Sequence, residues 1–335
     1  MGASSTELPT VAVFGFGGTI AMVPDGDGSG GLVPGTEASQ LVQAVPALQD
    51  IAFVQSVGFR MVPGAHLTAQ DVRDLVAAAD ARVRDGAHGI VVTQGTDTLE
   101  ETAFLIDLLW GRPEPIVVTG AMRPPSQPGA DGLAAVLTAG SPAAKEQGCL
   151  VVMNDEVHAA RHVAKQHTTR PSAFGSPATG PLGWVAEGRP RLHMRVPPLP
   201  GCPLADQHGE PHAVGLLSIG FDSDPLLLRA ARRVDYDAVV LEALGAGHLP
   251  AELVDDAEAL AAIAPVVLAS RAGAGEVLRA TYAFPGSEQD LLRRGLWPAG
   301  WLSGRKARVL LLALLGAGLD GAELRARFAA IADQA

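Results

Sequence analysis

Cysteine is almost missing from this sequence: Cys149 and Cys202 are the whole complement, and neither stands at CxxC or metal-ligand spacing. A disulfide framework and a thiolate metal centre are thereby excluded, and buried or incidental thiols remain. Lysine is nearly as rare. Of 25 basic residues only Lys145, Lys165 and Lys306 carry an amine, and an amine can shed its proton where a guanidinium cannot. Positive charge is in deficit overall, with a formal net charge of −11, which argues against nucleic acid or an anionic membrane as the main partner. No apolar run approaches the roughly 18 residues that a membrane span needs. The first ten residues have neither a basic start nor an apolar core, so no secretory leader is expected and the expected compartment is the cytoplasm.

What is present is material for a large interior. At 335 residues and 47% hydrophobic, the chain exceeds one core of ordinary size, and two domains are expected. Ile90 to Thr93 is a β-branched apolar run that reads as a buried parallel strand, broken at Gly95. Thr98 and Glu101 have capping-box spacing, and Ala103 to Trp110 is apolar nearly all round, so a deeply packed helix is expected to start at Thr98. Gln94, Thr96 and Asp97 are left in a strand-to-helix turn, beside free helix N–H groups that favour carboxylates. The plainer account of such residues is an ordinary turn.

The same alternation runs along the chain. Val11 to Phe14 reads as a strand entering the glycine-rich Gly15 to Ala21, which matches neither nucleotide-binding glycine pattern and displays Thr19. Asp25 to Gly31 reads equally as a lid or as a surface loop. A short helix is expected over Leu41 to Val45 and a strand over Val54 to Val62; Thr68 with Asp71 caps a helix whose Val72, Leu75, Val76, Ala79 and Val83 share one face. Strands at Pro115 to Thr119 and Cys149 to Met153 flank a helix at Leu133 to Thr138, and Asn154 to Val157 leads into an expected polar loop holding Arg161, Lys165, His167, Thr168 and Thr169. Parallel βαβ units would gather the loops at 15–19, 94–97 and 120–123 at one end of the sheet. From Pro190 to Pro211 the composition turns to proline and polar residues, and a second alternating series begins at Ala213. The predicted fold is α/β in two α/β domains: a larger N-terminal mixed or parallel sheet with crossover helices over 8–195, a linker over 196–212, and a smaller parallel α/β domain over 213–335.

With these loops laid out, the chain resembles the bacterial-type L-asparaginase family, which includes glutaminase-asparaginases and an archaeal subunit of a tRNA-dependent amidotransferase. The resemblance rests on Gly17-Gly18-Thr19-Ile20-Ala21, Gln94 to Glu101, Gly120-Ala121-Met122-Arg123-Pro124, Val152 to Asp155 with Lys165, Thr168 and Thr169, and, in the second half, Gly245 to His248 and Lys306-Ala307-Arg308. It implies an amidohydrolase that converts L-asparagine to L-aspartate and ammonia, with L-glutamine as a slower substrate and with no metal or organic cofactor. Thr19 would be the nucleophile that forms an acyl-enzyme, with Thr96, Asp97 and Lys165 as the activating constellation. As a base Lys165 must lose its proton; burial favours the neutral amine and pairing with Asp97 the charged one. Asp97 would also hold the substrate ammonium, backbone N–H groups near Thr96 would polarise the amide, and Gly95 and Ala121 would line the substrate.

Two departures qualify this. No Tyr precedes Tyr236, so the phenol that the family presents on its flexible loop is missing. Where the family has Ser to bind the substrate carboxylate, this chain has Pro63-Gly64-Ala65-His66, leaving the backbone of Gly64 and Ala65, with His66 as a ligand or a mere capping residue. His248 stands in a turn that the family brings to a neighbour's site, which implies a homodimer or homotetramer; the alternative is an exposed turn histidine. The missing Tyr also opens a second reading, a catalytically weak amino-acid-binding or regulatory homologue. An amidotransferase subunit would call for an RNA-facing module and basic surface that the chain lacks.

Overall fold

The computed structural model describes residues 8–16, 22–24, 32–34, 46–122, 131–202 and 211–335. Thr19 with its glycine-rich loop, the segment from Asp25 to Gly31, the helix expected over Leu41 to Val45, and Arg123 with Pro124 lie outside the described residues. The chain divides into two compact units, Met1–Leu204 and Ala205–Ala335.

The first unit opens with β1 (Thr10–Phe16), an antiparallel ribbon of β2 (Met22–Pro24) and β3 (Leu32–Pro34), and β4 (Phe53–Gly58), which pairs parallel with β1. β4 is shorter than the strand expected to reach Val62, because the N–H groups of Phe59 and Arg60 both turn back to the Gly15 carbonyl and end the ladder. The capping box of Thr68 and Asp71 opens α1 (Ala69–Arg84), and the five apolar residues of its predicted face are buried. β5 (Gly89–Gln94) is wholly buried, as its β-branched run requires, and leads to α2 (Leu99–Leu109), then β6 (Ile116–Thr119), α3 (Asp131–Ala139) and β7 (Cys149–Met153).

The expected polar loop after Asn154 is instead a series of hairpins. Asn154 and Asp155, with φ of 54° and 60°, make a two-residue turn of the kind that joins right-twisted antiparallel strands. It leads to β8 (Glu156–Ala159), then β9 (Ala164–Lys165) paired with β10 (Phe174–Gly175), and a second two-residue turn at Glu187 and Gly188 joins β11 (Gly183–Ala186) to β12 (Arg189–Leu192). β12 therefore takes up the start of the proline-rich stretch read as a change towards linker. Arg161 is buried and lies 3.5 Å from Asp107, not in a polar loop.

The main sheet has eight strands in the order β12-β11-β8-β7-β6-β5-β1-β4, parallel from β7 to β4 and antiparallel beyond, the mixed sheet that the sequence predicts. After β4 the chain crosses β1 and adds β5 on its other side. The strand order reverses there, opening a crevice outside the carboxyl ends of β1 and β5.

The second unit is a parallel sheet of four strands: β13 (Val214–Ser218), α4 (Leu226–Ala231), β14 (Ala238–Ala243), α5 (Val254–Ala261), β15 (Val266–Ser270), α6 (Glu288–Arg293), β16 (Trp297–Pro298), α7 (Gly304–Gly316) and α8 (Gly321–Ala332) follow in chain order. Leu241, Leu253, Leu268 and Leu291 are fully buried at its centre. The sequence pattern does not foretell α6 and β16, which are six and two residues long, too short to show a period. Among the described residues, no helix is long and apolar enough to cross a membrane.

Candidate active site

The site is built where β1 and β5 end side by side, Phe16 opposite Gln94. Backbone segments close on this point from two sides, and two glycines permit it. A Cβ on Gly120, after β6, would lie 2.7 Å from the Gln94 carbonyl oxygen and 3.1 Å from the Thr96 methyl; one on Gly64 would lie 3.2 Å from the Gly95 oxygen. Only a residue without a side chain fits such approaches comfortably.

Thr96 is buried in the resulting turn, 7% exposed. Its Oγ1 accepts a hydrogen bond of 2.9 Å from Lys165 Nζ, and the same Nζ lies 3.5 Å from Asp97 Oδ1. The three differ in access to water: the Lys165 side chain is 18% exposed and the Asp97 side chain 66%. A hydroxyl held against an amine in a water-poor turn can relay a proton to it once the amine is neutral and accepts in its turn, while an open carboxylate beside them can receive a cation from solution. Lys165 reaches Thr96 from β9, and its backbone N–H is accepted by Glu100 Oε2 from the first turn of α2.

Thr98 departs from the expected capping box. It is the N-cap residue of α2 but makes no side-chain cap bond; its hydroxyl donates instead to the Gly64 carbonyl at 2.9 Å, while Gln94 Nε2 donates to Thr98 Oγ1 at 3.1 Å and to Thr102 Oγ1 at 2.9 Å. Gln94 is completely buried. Gly64, Ala65 and His66 form one short 3-10 turn with Gly64 buried and the other two exposed, and this linkage fixes that turn to Gly95 and Thr98. Ala121 is half-buried directly after Gly120.

His248 belongs to the second unit and is not an exposed turn residue. Its ring packs edge-on against Tyr282 and Phe284 at 5.0 and 5.1 Å, and its Nε2 faces Glu288 Oε2 at 3.3 Å. The buried Glu288 also accepts the backbone N–H groups of Thr281 and Tyr282; burial raises its pKa, but these bonds outweigh it and hold the carboxyl below its ordinary value. Among the described residues, no cluster of three or more His, Cys, Asp or Glu side chains is arranged to hold a metal ion.

Two family descriptions cover most of the chain: asparaginase, N-terminal, matches residues 10–197, and the glutaminase/asparaginase C-terminal domain matches residues 213–328. The chain belongs to the asparaginase family. It is an amidohydrolase of L-asparaginase type. An L-asparaginase of Bacillus licheniformis is 32% identical over 328 residues, covering 93% of this chain and 97% of that one. L-asparaginase 2 of Escherichia coli strain K12 is 34% identical over 325 residues, covering 92% and 89%. A crystal structure of a probable cytoplasmic L-asparaginase from Campylobacter jejuni superposes with a TM-score of 0.83 at 28% identity, over 96% of this chain and 99% of that one. Within this family frame, the sequence motifs do not single out Glu100, the Gln94 amide or Glu288. Glu100 has a visible sign, an acidic residue on a mostly apolar helix, shared there with Glu101 and Asp107, whereas the partners of Gln94 and Glu288 are apparent only in three dimensions.

Proposed function

We propose that this asparaginase-family chain hydrolyses L-asparagine to L-aspartate and ammonia, with L-glutamine as a slower substrate, through Thr19 as nucleophile. The observation that carries the reading is the contact of Lys165 Nζ with Thr96 Oγ1 at 2.9 Å, with Asp97 3.5 Å away. Asp97, the most exposed of the three, receives the substrate's ammonium, and the Gly64–Ala65 backbone, tied down through Thr98, receives its carboxylate. The Thr19 hydroxyl attacks the side-chain amide carbon and gives up its proton to the Lys165 and Thr96 pair. Collapse of the tetrahedral adduct breaks the C–N bond, the returning proton leaves with ammonia, and water then hydrolyses the Thr19 ester to aspartate. N–H groups near Thr96 stabilise the oxyanion, a role that backbone donors at a strand-to-helix turn serve well. The role of Thr19 rests on its motif. In this reading the protein works in the cytoplasm, as the similar Campylobacter protein is named for doing, and assembles as a homodimer or homotetramer, in keeping with the motif position of His248.

The test is ammonia release from asparagine, glutamine, D-asparagine and simple amides by the wild type and by Thr19→Ala, Thr96→Val and Lys165→Met. Each variant is expected to fold normally and to lose turnover. Full activity in Thr19→Ala would remove the nucleophile assignment, and wild-type protein that binds asparagine yet releases no ammonia would be a binding protein instead.

A further inference from the structure

Glu100 is a charged residue 2% exposed in the first turn of a helix whose other faces are buried. Burying a carboxylate costs several kcal/mol in lost hydration even after relaxation, and a well-packed apolar side chain there would often be as stable or more so. The N-terminal position on α2 offsets part of that cost, since free N–H groups favour negative charge. Among its contacts, Glu100 Oε2 accepts the backbone N–H of Lys165. β9, which carries Lys165, is only two residues long and pairs with two residues of β10, Phe174 opposite Lys165 and Gly175 opposite Ala164. So short a ladder holds its register weakly. The turn and helix start of a single motif therefore grip Lys165 twice, Thr96 at the tip of its side chain and Glu100, four residues on, at its backbone.

We infer that Glu100 is a positioning residue for the reaction: its side-chain oxygen, by accepting the Lys165 N–H, sets the approach of Nζ to Thr96. This rests on the proposed role of Lys165. A displacement of about 1 Å at a reacting group costs on the order of a hundredfold in rate, so the effect falls on kcat, while KM, set by the Asp97 and Gly64 contacts, stays in place. What the inference requires is reach, not charge. Glu100→Gln keeps an oxygen at the same distance without the charge; Glu100→Asp keeps the charge and withdraws the oxygen by one methylene.

Both variants are conservative, and both are assayed for kcat and KM on asparagine beside Lys165→Met, with thermal midpoints recorded. Glu100→Gln is expected to keep kcat within about threefold and Glu100→Asp to lose about tenfold or more, with KM within about twofold in each, the kinetic loss not following the thermal midpoint. Wild-type kcat in Glu100→Asp, or a loss in Glu100→Gln as deep as in Glu100→Asp, overturns the inference. If Lys165→Met keeps wild-type turnover, the underlying reading fails as well; if it is dead while Glu100→Asp is unimpaired, only the role of Glu100 fails.

Discussion

His158 lies on β8 with no exposed surface, its Nδ1 3.0 Å from Ser176 Oγ and its Nε2 facing Glu156 Oε2 at 3.4 Å. Burial lowers its pKa from 6.5 to about 4. As pH falls through 6.5 the unfolded chain takes up a proton at this residue, and the folded chain does not do so until about 4. The unfolded state therefore binds more protons throughout that window, and stability drops as pH is lowered across it; the contribution is complete above 6.5. A gap of about 2.5 pH units corresponds to about 3 kcal/mol, a substantial part of the roughly 5–15 kcal/mol that holds a typical domain together. Ser176 directly follows β10, which pairs with the β9 strand of Lys165, so the strain of charging His158 bears on the framework of the site. The assay is urea unfolding of wild type and His158→Gln at about pH 7.5 and about pH 3.5, either side of the window. The wild type is expected to lose about 3 kcal/mol more than the variant between the two, all other titrating groups cancelling in the difference. Parallel losses would show that His158 titrates alike in both states and would refute the argument.

Thr98→Val removes the donor to the Gly64 carbonyl at an otherwise isosteric position; the loss of about 1 kcal/mol should appear as a severalfold rise in KM with kcat little changed, and an unchanged KM would detach the 64–66 turn from substrate binding. Arg161 and Asp107 form a buried pair in which Arg161 also donates to the Pro197 carbonyl at 2.9 Å and Asp107 accepts the Cys149 N–H at 2.7 Å. Arg161→Leu leaves that carboxylate without its counter-charge and should cost about 3–5 kcal/mol in urea unfolding; a loss below about 1 kcal/mol would mean that the neighbouring groups compensate the charge without it. If the active form is a homo-oligomer, specific activity should fall on dilution in step with dissociation seen by sedimentation, and a fully active monomer would contradict it.

Where the deciding interaction is short in range, residue order alone is enough. Thr68 and Asp71 cap α1 as their spacing predicts, its apolar face is set by residues three and four apart, and the β-branched run of β5 marks a strand buried on both faces. From these pieces the parallel order of the strands follows, because right-handed crossovers leave few alternatives. Residue order does not say which of several local possibilities a side chain takes once distant chain arrives. Thr98 and Glu101 have the spacing of a cap, yet the Thr98 hydroxyl turns to Gly64, 34 residues away. Asn154 and Asp155 look like the start of a loop and make a hairpin, since the sheet offers β8 a partner in β7. Lys165 reads as a loop lysine; its amine meets Thr96 across 69 residues and its backbone is held by Glu100 across 65. A turn or a helix face is fixed by its own dihedral preferences, but the partner of a polar group is chosen by whichever donor or acceptor packing leaves within reach, and that choice is made by the tertiary structure.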